Sequence, residues 1–212
     1  KDSCLSGCFL GRLQHDGFNP QKGKPPEAGS MGLFGEDTQL LGQLSDGLKL
    51  GRSSVLAINA FQKLSARSLL YRLNPETKES KSRIQAVDAV LHQWQEEPSS
   101  RKAKAKMLTI AHCEAMKESC RELLGMLLTR AQELDFHLSV VLMGAAAQEA
   151  VLMQQPELRE YIHTHHVMRP LTCREFLGYV QAQCEEHGCE SSPLTPARVR
   201  KMHALTRGNI SR

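Results

Sequence analysis

The hydrophobic pattern of this chain predicts strands that alternate with helices. Short, mostly apolar runs have the length of buried parallel strands at residues 54–60, 107–111 and 138–143, and a fourth run is expected at 166–169. Between and around them, apolar residues recur at helical spacing in residues 38–50, 67–73, 81–94, 120–134 and 146–163. This alternation favours a parallel sheet with flanking helices.

The C-terminal part of the pattern is helical only. Thr172 precedes a predicted helix that runs to about His187, and Glu175 stands where a capping box needs its acidic residue. Thr195 and Pro196 have the order of a helix cap and a first helical residue. These signals predict a small helical lid that begins at residue 172.

Composition and charge are those of an ordinary globular protein. The net charge of +4 is too small to indicate a nucleic-acid or membrane surface by itself. The basic run at residues 101–106, which ends at Lys106, is expected to be a solvated face. No apolar run approaches 18 residues, so we expect membrane attachment only through segments outside this chain. Scattered cysteines indicate reduced thiols in a cytosolic compartment.

The turn after the strand at 54–60 has the position of a phosphate-binding loop. Such loops end in Gly-Lys-Ser or Gly-Lys-Thr and surround phosphates with backbone N–H groups. Here those three positions read Ala66-Arg67-Ser68, and the first glycine of the motif is replaced by Phe61. Only the hydroxyl of the motif is unchanged, as Ser68. Ala66 replaces a glycine and resists the positive φ that glycine adopts, and Arg67 replaces the compact ammonium of lysine with a wide guanidinium fork. An ordinary strand-to-helix turn is the alternative interpretation.

The strand at 107–111 leads into His112-Cys113-Glu114-Ala115. A Walker B strand ends in Asp-Glu, where the Asp supports Mg²⁺ and the Glu prepares the attacking water. Cys113 stands at the position of the Asp, whereas Glu114 is kept. Ser68 and Cys113 are thus the predicted metal positions and Glu114 the predicted catalytic residue. A thiol should greatly weaken the binding of Mg²⁺, which prefers oxygen ligands.

Residues 107–212 resemble the AAA+ ATPases of the ExeA type, also called general secretion pathway protein A, and are similar to the ATPases associated with DamX-like proteins. The matching motifs are His112 to Ala115, Leu138 to Gly144, the helix at Pro156-Glu157-Leu158, residues 167–175 and Leu205 to Arg212. The resemblance extends weakly back to residue 38. It implies an AAA+ P-loop fold and gives Arg212 the role of a sensor arginine beside the γ-phosphate.

With the resemblance, the chain divides into an extended lead-in (1–37), a P-loop-like α/β core (38–171) and a truncated helical lid (172–212). The family usually has a further strand between the phosphate-binding helix and Walker B. Residues 74–106 show a helix and a basic linker but no strand pattern. Either that strand is lost or residues are absent from this sequence.

The predicted function is a nucleotide-binding or pseudo-ATPase module in a bacterial envelope or secretion assembly. ATP and Mg²⁺ are the expected cofactors, bound weakly through Ala66, Arg67, Ser68 and Arg212. The expected partners are further copies of the chain or envelope proteins. The expected location is the cytoplasm, at the inner face of the inner membrane if the chain is a piece of a longer protein. Two alternatives stay open, an active ATPase of the same family and a DNA-binding initiator-like protein, although we do not expect nucleic acid as a partner.

Overall fold

The computed structural model describes residues 30–35, 54–60, 63–79, 82–97, 105–188 and 195–209. In this part of the chain five parallel strands form one sheet in the order β2-β3-β4-β1-β5. The strands are β1 (Ser30–Gly35), β2 (Ser54–Asn59), β3 (Ala105–Ala111), β4 (His137–Gly144) and β5 (Ile162–Met168). The predicted α/β class with a parallel sheet is confirmed.

Helices alternate with the strands in the described ranges, and the helix predicted over residues 38–50 lies outside them. The described helices are α1 (Ala66–Leu73), α2 (Arg83–Glu96), α3 (Glu118–Glu133), α4 (Gln148–Met153), α5 (Pro156–Arg159), α6 (Cys173–Glu186) and α7 (Pro196–Thr206). Two 3₁₀ turns cover Pro75–Glu79 and Cys113–Ala115. Within the described ranges, no helix combines the length and the apolar character that crossing a membrane requires.

The interior strand β1 is not predicted by the sequence pattern, which places residues 30–35 inside the extended lead-in. The structure corrects this: β1 pairs with β4 on one side and β5 on the other, and all six of its residues are buried. Two glycines break the apolar run of this strand. At Gly32 an added Cβ would lie 2.9 Å from Cζ of Phe34, so a larger residue would collide with that ring. Gly32, which interrupts the apolar run and so hides the strand in the sequence, is thus required by its packing against Phe34.

This strand also accounts for the strand that the sequence pattern lacks between residues 74 and 106. Because β1 precedes the run at 54–59, that run is the second of the described strands and not the first. The sheet needs no further strand before β3.

Side chains of the two sheet faces form two separate clusters. Phe34, Leu108 and Leu142 belong to a large cluster with residues of α1, α2 and α3. Leu33 and Val141, which alternate with them along the strands, belong to a cluster on the opposite face. That second cluster includes Phe176 and Val180 of α6 and Val199 of α7. The helices predicted for the lid therefore contact the sheet itself.

Helix caps in this region agree with the sequence signals. Thr172 accepts a hydrogen bond from the backbone of Glu175, and the Glu175 carboxylate accepts one from the backbone of Thr172 at 2.7 Å, which confirms the capping box. Thr195 caps α7 and Pro196 is its first residue, as predicted.

The segment before α6 differs from the prediction. The sequence pattern predicts a helix over 146–163, but α5 ends at Arg159 and β5 already begins at Ile162. Pairing with β1 selects the extended conformation of β5, since local propensity is weak in this polar segment.

Lys106, expected on a solvated basic face, is buried. Its side chain is 5% exposed, with Nζ 2.7 Å from Oε2 of Glu97 and 4.7 Å from the centre of the Trp94 ring. The ammonium is stabilised by an ion pair and a cation–π contact, which offset its loss of hydration.

Candidate functional site

The strand order reverses between β4 and β1, which are neighbours in the sheet. After β4, the chain next enters the sheet at β5, on the far side of β1. After β1, it next enters at β2, on the far side of β4. Open α/β sheets bind ligands in the crevice outside the carboxyl ends of the strands at such a switch point. The candidate site is therefore the crevice beyond Gly35 and Gly144, where these two strands end.

Glu114 lies beside this crevice. After β3, His112 adopts a left-handed backbone conformation with φ 58°, which turns the chain into the short 3₁₀ segment that contains Glu114. One carboxylate oxygen of Glu114 accepts a hydrogen bond from the backbone N–H of Ala145 at 3.4 Å, directly after β4. The other lies 3.3 Å from Nδ1 of His112. With 30% of its side chain exposed, Glu114 can interact with a ligand in the crevice.

Cys113, at the position where a Walker B strand carries its magnesium-binding Asp, is 1% exposed. Burial, together with the negative charge of Glu114, raises the pKa of the Cys113 thiol to about 12. The thiol is therefore protonated and neutral at physiological pH. Mg²⁺ prefers oxygen ligands, so the sulfur of Cys113 is poorly suited to the metal position that the sequence assigns to it.

Gly144 permits the close packing of this corner. A Cβ added to Gly144 would overlap Sγ of Cys113 and would lie 2.6 Å from Oε2 of Glu114. Only a residue without a side chain can occupy this end of β4 while Cys113 and Glu114 keep their positions. The sequence identifies Gly144 as the end of a strand but not as a neighbour of the candidate site.

The predicted phosphate-binding residues lie elsewhere. Ala66, Arg67 and Ser68 form the first turn of α1, which comes after β2 at the edge of the sheet. The β2 edge is three strand positions from β1, or about 14 Å. Ser65 caps α1, since its Oγ accepts a hydrogen bond from the backbone N–H of Ser68 at 3.2 Å. The loop predicted to bind phosphate thus follows β2 at the edge of the described sheet and not β1 at the switch point, because the sequence pattern does not reveal β1.

The two predicted metal positions are not brought together. Ser68 lines a cavity beside α1 whose lining residues include neither Cys113 nor Glu114. In the ranges that the structure describes, no group of three or more His, Cys, Asp or Glu side chains is arranged to hold a metal ion. Arg212 and Phe61 lie outside the described residues.

Strand β1, at the switch point, is followed by a sequence unlike that of a phosphate-binding loop. The residues there read Gly35-Glu36-Asp37-Thr38, and the 212 residues of the chain contain no Gly-Lys-Ser or Gly-Lys-Thr. A lysine that could neutralise phosphates therefore does not occur in its usual motif.

Comparisons with solved structures agree with this topology. The ORC1 protein of Aeropyrum pernix in complex with DNA matches with a TM-score of 0.67 and 14% identity, over 95% of this chain and 55% of that one. The ORC2 protein of the same organism, in ADPNP–ADP complexes, has a TM-score of 0.56 and 13% identity, over 92% and 53%. A single-residue variant of RuvB from Thermotoga maritima has a TM-score of 0.51 and 13% identity, over 97% and 55%.

This chain therefore spans little more than half the length of these three proteins. No protein-family model and no curated protein sequence matches it. At 13–14% identity the likeness establishes the fold alone. Five parallel strands in this order, with flanking helices, give the chain the AAA+ P-loop α/β fold.

Proposed function

We propose that this chain is a nucleotide-binding or pseudo-ATPase module that binds nucleotide at the switch-point crevice. The observation that carries the proposal is the position of Glu114, held by the Ala145 N–H beside the carboxyl ends of β4 and β1. This is where the fold offers a ligand site. The ORC2 structure with the same fold contains ADPNP and ADP, which supports an adenine nucleotide as the ligand.

The residues at the crevice favour binding without hydrolysis. Cys113 is a neutral, buried thiol where a metal-binding carboxylate is needed. Glu36 and Asp37 follow β1 in the sequence, where a phosphate-binding loop would begin, and lie outside the described residues. Glu114 brings negative charge to the crevice and like charges repel, so we expect weak affinity for a triphosphate.

Calorimetric titration with ATP tests the proposal, with and without Mg²⁺. The expected result is weak binding that Mg²⁺ changes little, with no release of phosphate. Glu114→Gln keeps the shape of the side chain and removes its charge, so it should tighten ATP binding a few-fold if the phosphates lie near Glu114. No detectable ATP binding, or an affinity that Glu114→Gln leaves unchanged, would contradict the proposed site.

An active ATPase of the same fold is the first alternative. It predicts phosphate release that saturates with ATP and disappears in Glu114→Gln, because the carboxylate would then be needed to prepare the attacking water. Its supporting observation is that Glu114 is accessible at the crevice.

A DNA-binding initiator-like protein is the second alternative. The ORC1 structure contains DNA, and exposed Arg198, Arg200 and Lys201 line one helix, α7. This alternative predicts DNA binding whose affinity falls steeply with salt concentration. The triple exchange of these residues to Ala should then reduce the salt slope.

We also propose that the module acts by self-association, or with proteins of a bacterial envelope or secretion assembly. The support is the set of motifs between residues 107 and 212 that resemble the ExeA type. Sedimentation velocity with and without ATP measures the first part; a single monomeric species at all concentrations would exclude it. Co-sedimentation of the purified chain with inner-membrane vesicles measures the second.

A further inference from the structure

Apart from the switch-point crevice, a cavity lies on the face of the sheet that α1, α2 and α3 cover. It has a volume of about 900 Å³ and opens between α1, the 3₁₀ turn at Pro75–Glu79, and the first turns of α2 and α3. Its lining residues are Ser65, Ala66, Arg67, Ser68, Leu70, Tyr71, Arg72, Thr77, Ser82, Arg83, Ala86 and Ser119. Three of them are arginines, five are hydroxyl-bearing Ser or Thr, and none is a carboxylate. The lining therefore carries positive charge and hydrogen-bond donors, and of its three arginines Arg83 forms an ion pair with Glu122, which is not a lining residue.

Two of the arginines are held in place by the surrounding structure. Nη1 of Arg72 donates to the backbone oxygen of Asn59 at 2.8 Å. Nη1 of Arg83 donates to Oε2 of Glu122 at 3.2 Å. Each of these contacts uses one of the five N–H groups of a guanidinium, so donors are left for a ligand.

The side chain of Arg67 is exposed and lines the cavity, and it has no ion pair or side-chain hydrogen bond within the part of the chain that the structure describes. It lies one helical turn before Tyr71, whose side chain is exposed as well. A guanidinium beside an exposed aromatic ring is suited to an anion that also carries a planar group.

The helix ends add to the same potential without defining the site. Neither α1 nor α2 has an acidic residue in its first turn, so the positive ends of their dipoles are not neutralised by their own sequence. Ser65 and Ser82 cap these helices with their Oγ atoms.

We propose that this cavity binds the phosphate groups of a nucleotide-bearing ligand, either a free nucleotide or a strand of nucleic acid, and that Arg67 is its principal contact. Arginine forks match phosphate oxygens in pairs, and Ser and Thr hydroxyls supply further donors. The cavity is separate from the switch-point crevice, because Glu114, Cys113 and Gly144 are not among its lining residues. The proposal therefore does not depend on the proposed function.

The test measures binding of three probes by calorimetry: tripolyphosphate, ATP, and a short oligothymidylate. Arg67→Ala should weaken the binding of tripolyphosphate about tenfold, which is the loss of one charge-assisted contact, and Arg67→Glu should abolish it. Arg67 is exposed, so both variants should keep the wild-type unfolding midpoint. Arg159→Ala, an exposed arginine outside the cavity, is the matched control and should bind like the wild type.

The three probes distinguish the source of the phosphate. Oligothymidylate that binds tighter than ATP at equal ionic strength assigns the cavity to a nucleic-acid strand, and the reverse order assigns it to a free nucleotide. Glu114→Gln should leave the binding of tripolyphosphate at this cavity unchanged, which separates the two sites. The proposal is overturned if none of the probes binds, or if Arg67→Ala and Arg159→Ala have equal effects.

Discussion

Gly144→Ala should destabilise the protein through a defined steric overlap at the crevice. The new Cβ would overlap Sγ of Cys113 and approach Oε2 of Glu114 to 2.6 Å. Ordinary contact begins at 3.4 Å, so the carboxylate would have to retreat by about 0.8 Å. Glu114 is partly exposed and can move toward solvent, whereas Cys113 is buried and cannot. The overlap with sulfur should therefore account for most of the cost, about 1–3 kcal/mol for an overpacked site.

Urea denaturation at neutral pH measures this cost as the change in the free energy of unfolding. Cys113→Ala alone should cost about 1 kcal/mol through lost packing. The double variant Cys113→Ala/Gly144→Ala should lose less unfolding free energy than the two single variants lose together, because removal of the sulfur makes room for the new methyl group. We expect a favourable coupling of at least about 1 kcal/mol.

Gly178→Ala serves as the control, since no atom lies within 4 Å of a Cβ placed there. This residue is inside α6, where alanine should raise stability by up to about 1 kcal/mol. Additive effects of Gly144→Ala and Cys113→Ala, within about 0.5 kcal/mol, would refute the steric reasoning. A Gly144→Ala variant as stable as the wild type would refute it as well.

Three further predictions concern the fold. Glu97→Gln should lower the free energy of unfolding by about 3–5 kcal/mol in urea denaturation, because it leaves the buried ammonium of Lys106 without its charged partner. Lys106→Met, which removes the buried charge itself, should cost much less. Equal costs would contradict the role of the ion pair. Gly208→Ala should destabilise the protein by more than about 1 kcal/mol in the same assay, since Gly208 has φ 78° and an added Cβ would overlap the backbone oxygen of Leu171. A cost below that of an exchange at an exposed surface position would contradict this. The raised pKa of Cys113 stabilises the fold fully below pH 9, and this contribution is lost between pH 9 and about 12 at about 1.4 kcal/mol per pH unit, because the unfolded thiol ionises first. Over this window Cys113→Ala should therefore show a shallower loss of stability than the wild type.

The sequence predicts those elements whose signals are local. Apolar runs indicate β2, β3 and β4 to within two residues, and cap residues such as Thr172 and Thr195 mark where helices begin. Each of these signals depends on neighbours in the chain, so it can be read without knowledge of the sheet.

Strand β1 cannot be predicted in the same way. Its Gly32 is explained only by the Phe34 ring above it, and its interior position in the sheet depends on pairing with β4 and β5, which lie far away in sequence. A prediction that lacks this strand places the phosphate site after β2, which is three strand positions away from β1 in the sheet. The prediction for Glu114 does not depend on numbering the strands, because it rests on the end of β3, and the structure places Glu114 at the crevice.

A carboxylate introduced at residue 113 should change two measurable properties together, the stability of the fold and the binding of a divalent cation. An aspartate at this buried position would be desolvated and adjacent to the charge of Glu114, so Cys113→Asp should cost about 2–4 kcal/mol in urea denaturation without divalent cations. If the crevice retains the geometry of a magnesium site, millimolar Mg²⁺ should restore part of this stability by binding only the folded state. Cys113→Asn, which has nearly the shape of the aspartate variant but no charge, should be unaffected by Mg²⁺ and is the matched control. An equal response of both variants to Mg²⁺ would mean that residue 113 is not positioned to bind a metal. The thiol would then be a packing residue with no connection to a lost catalytic centre.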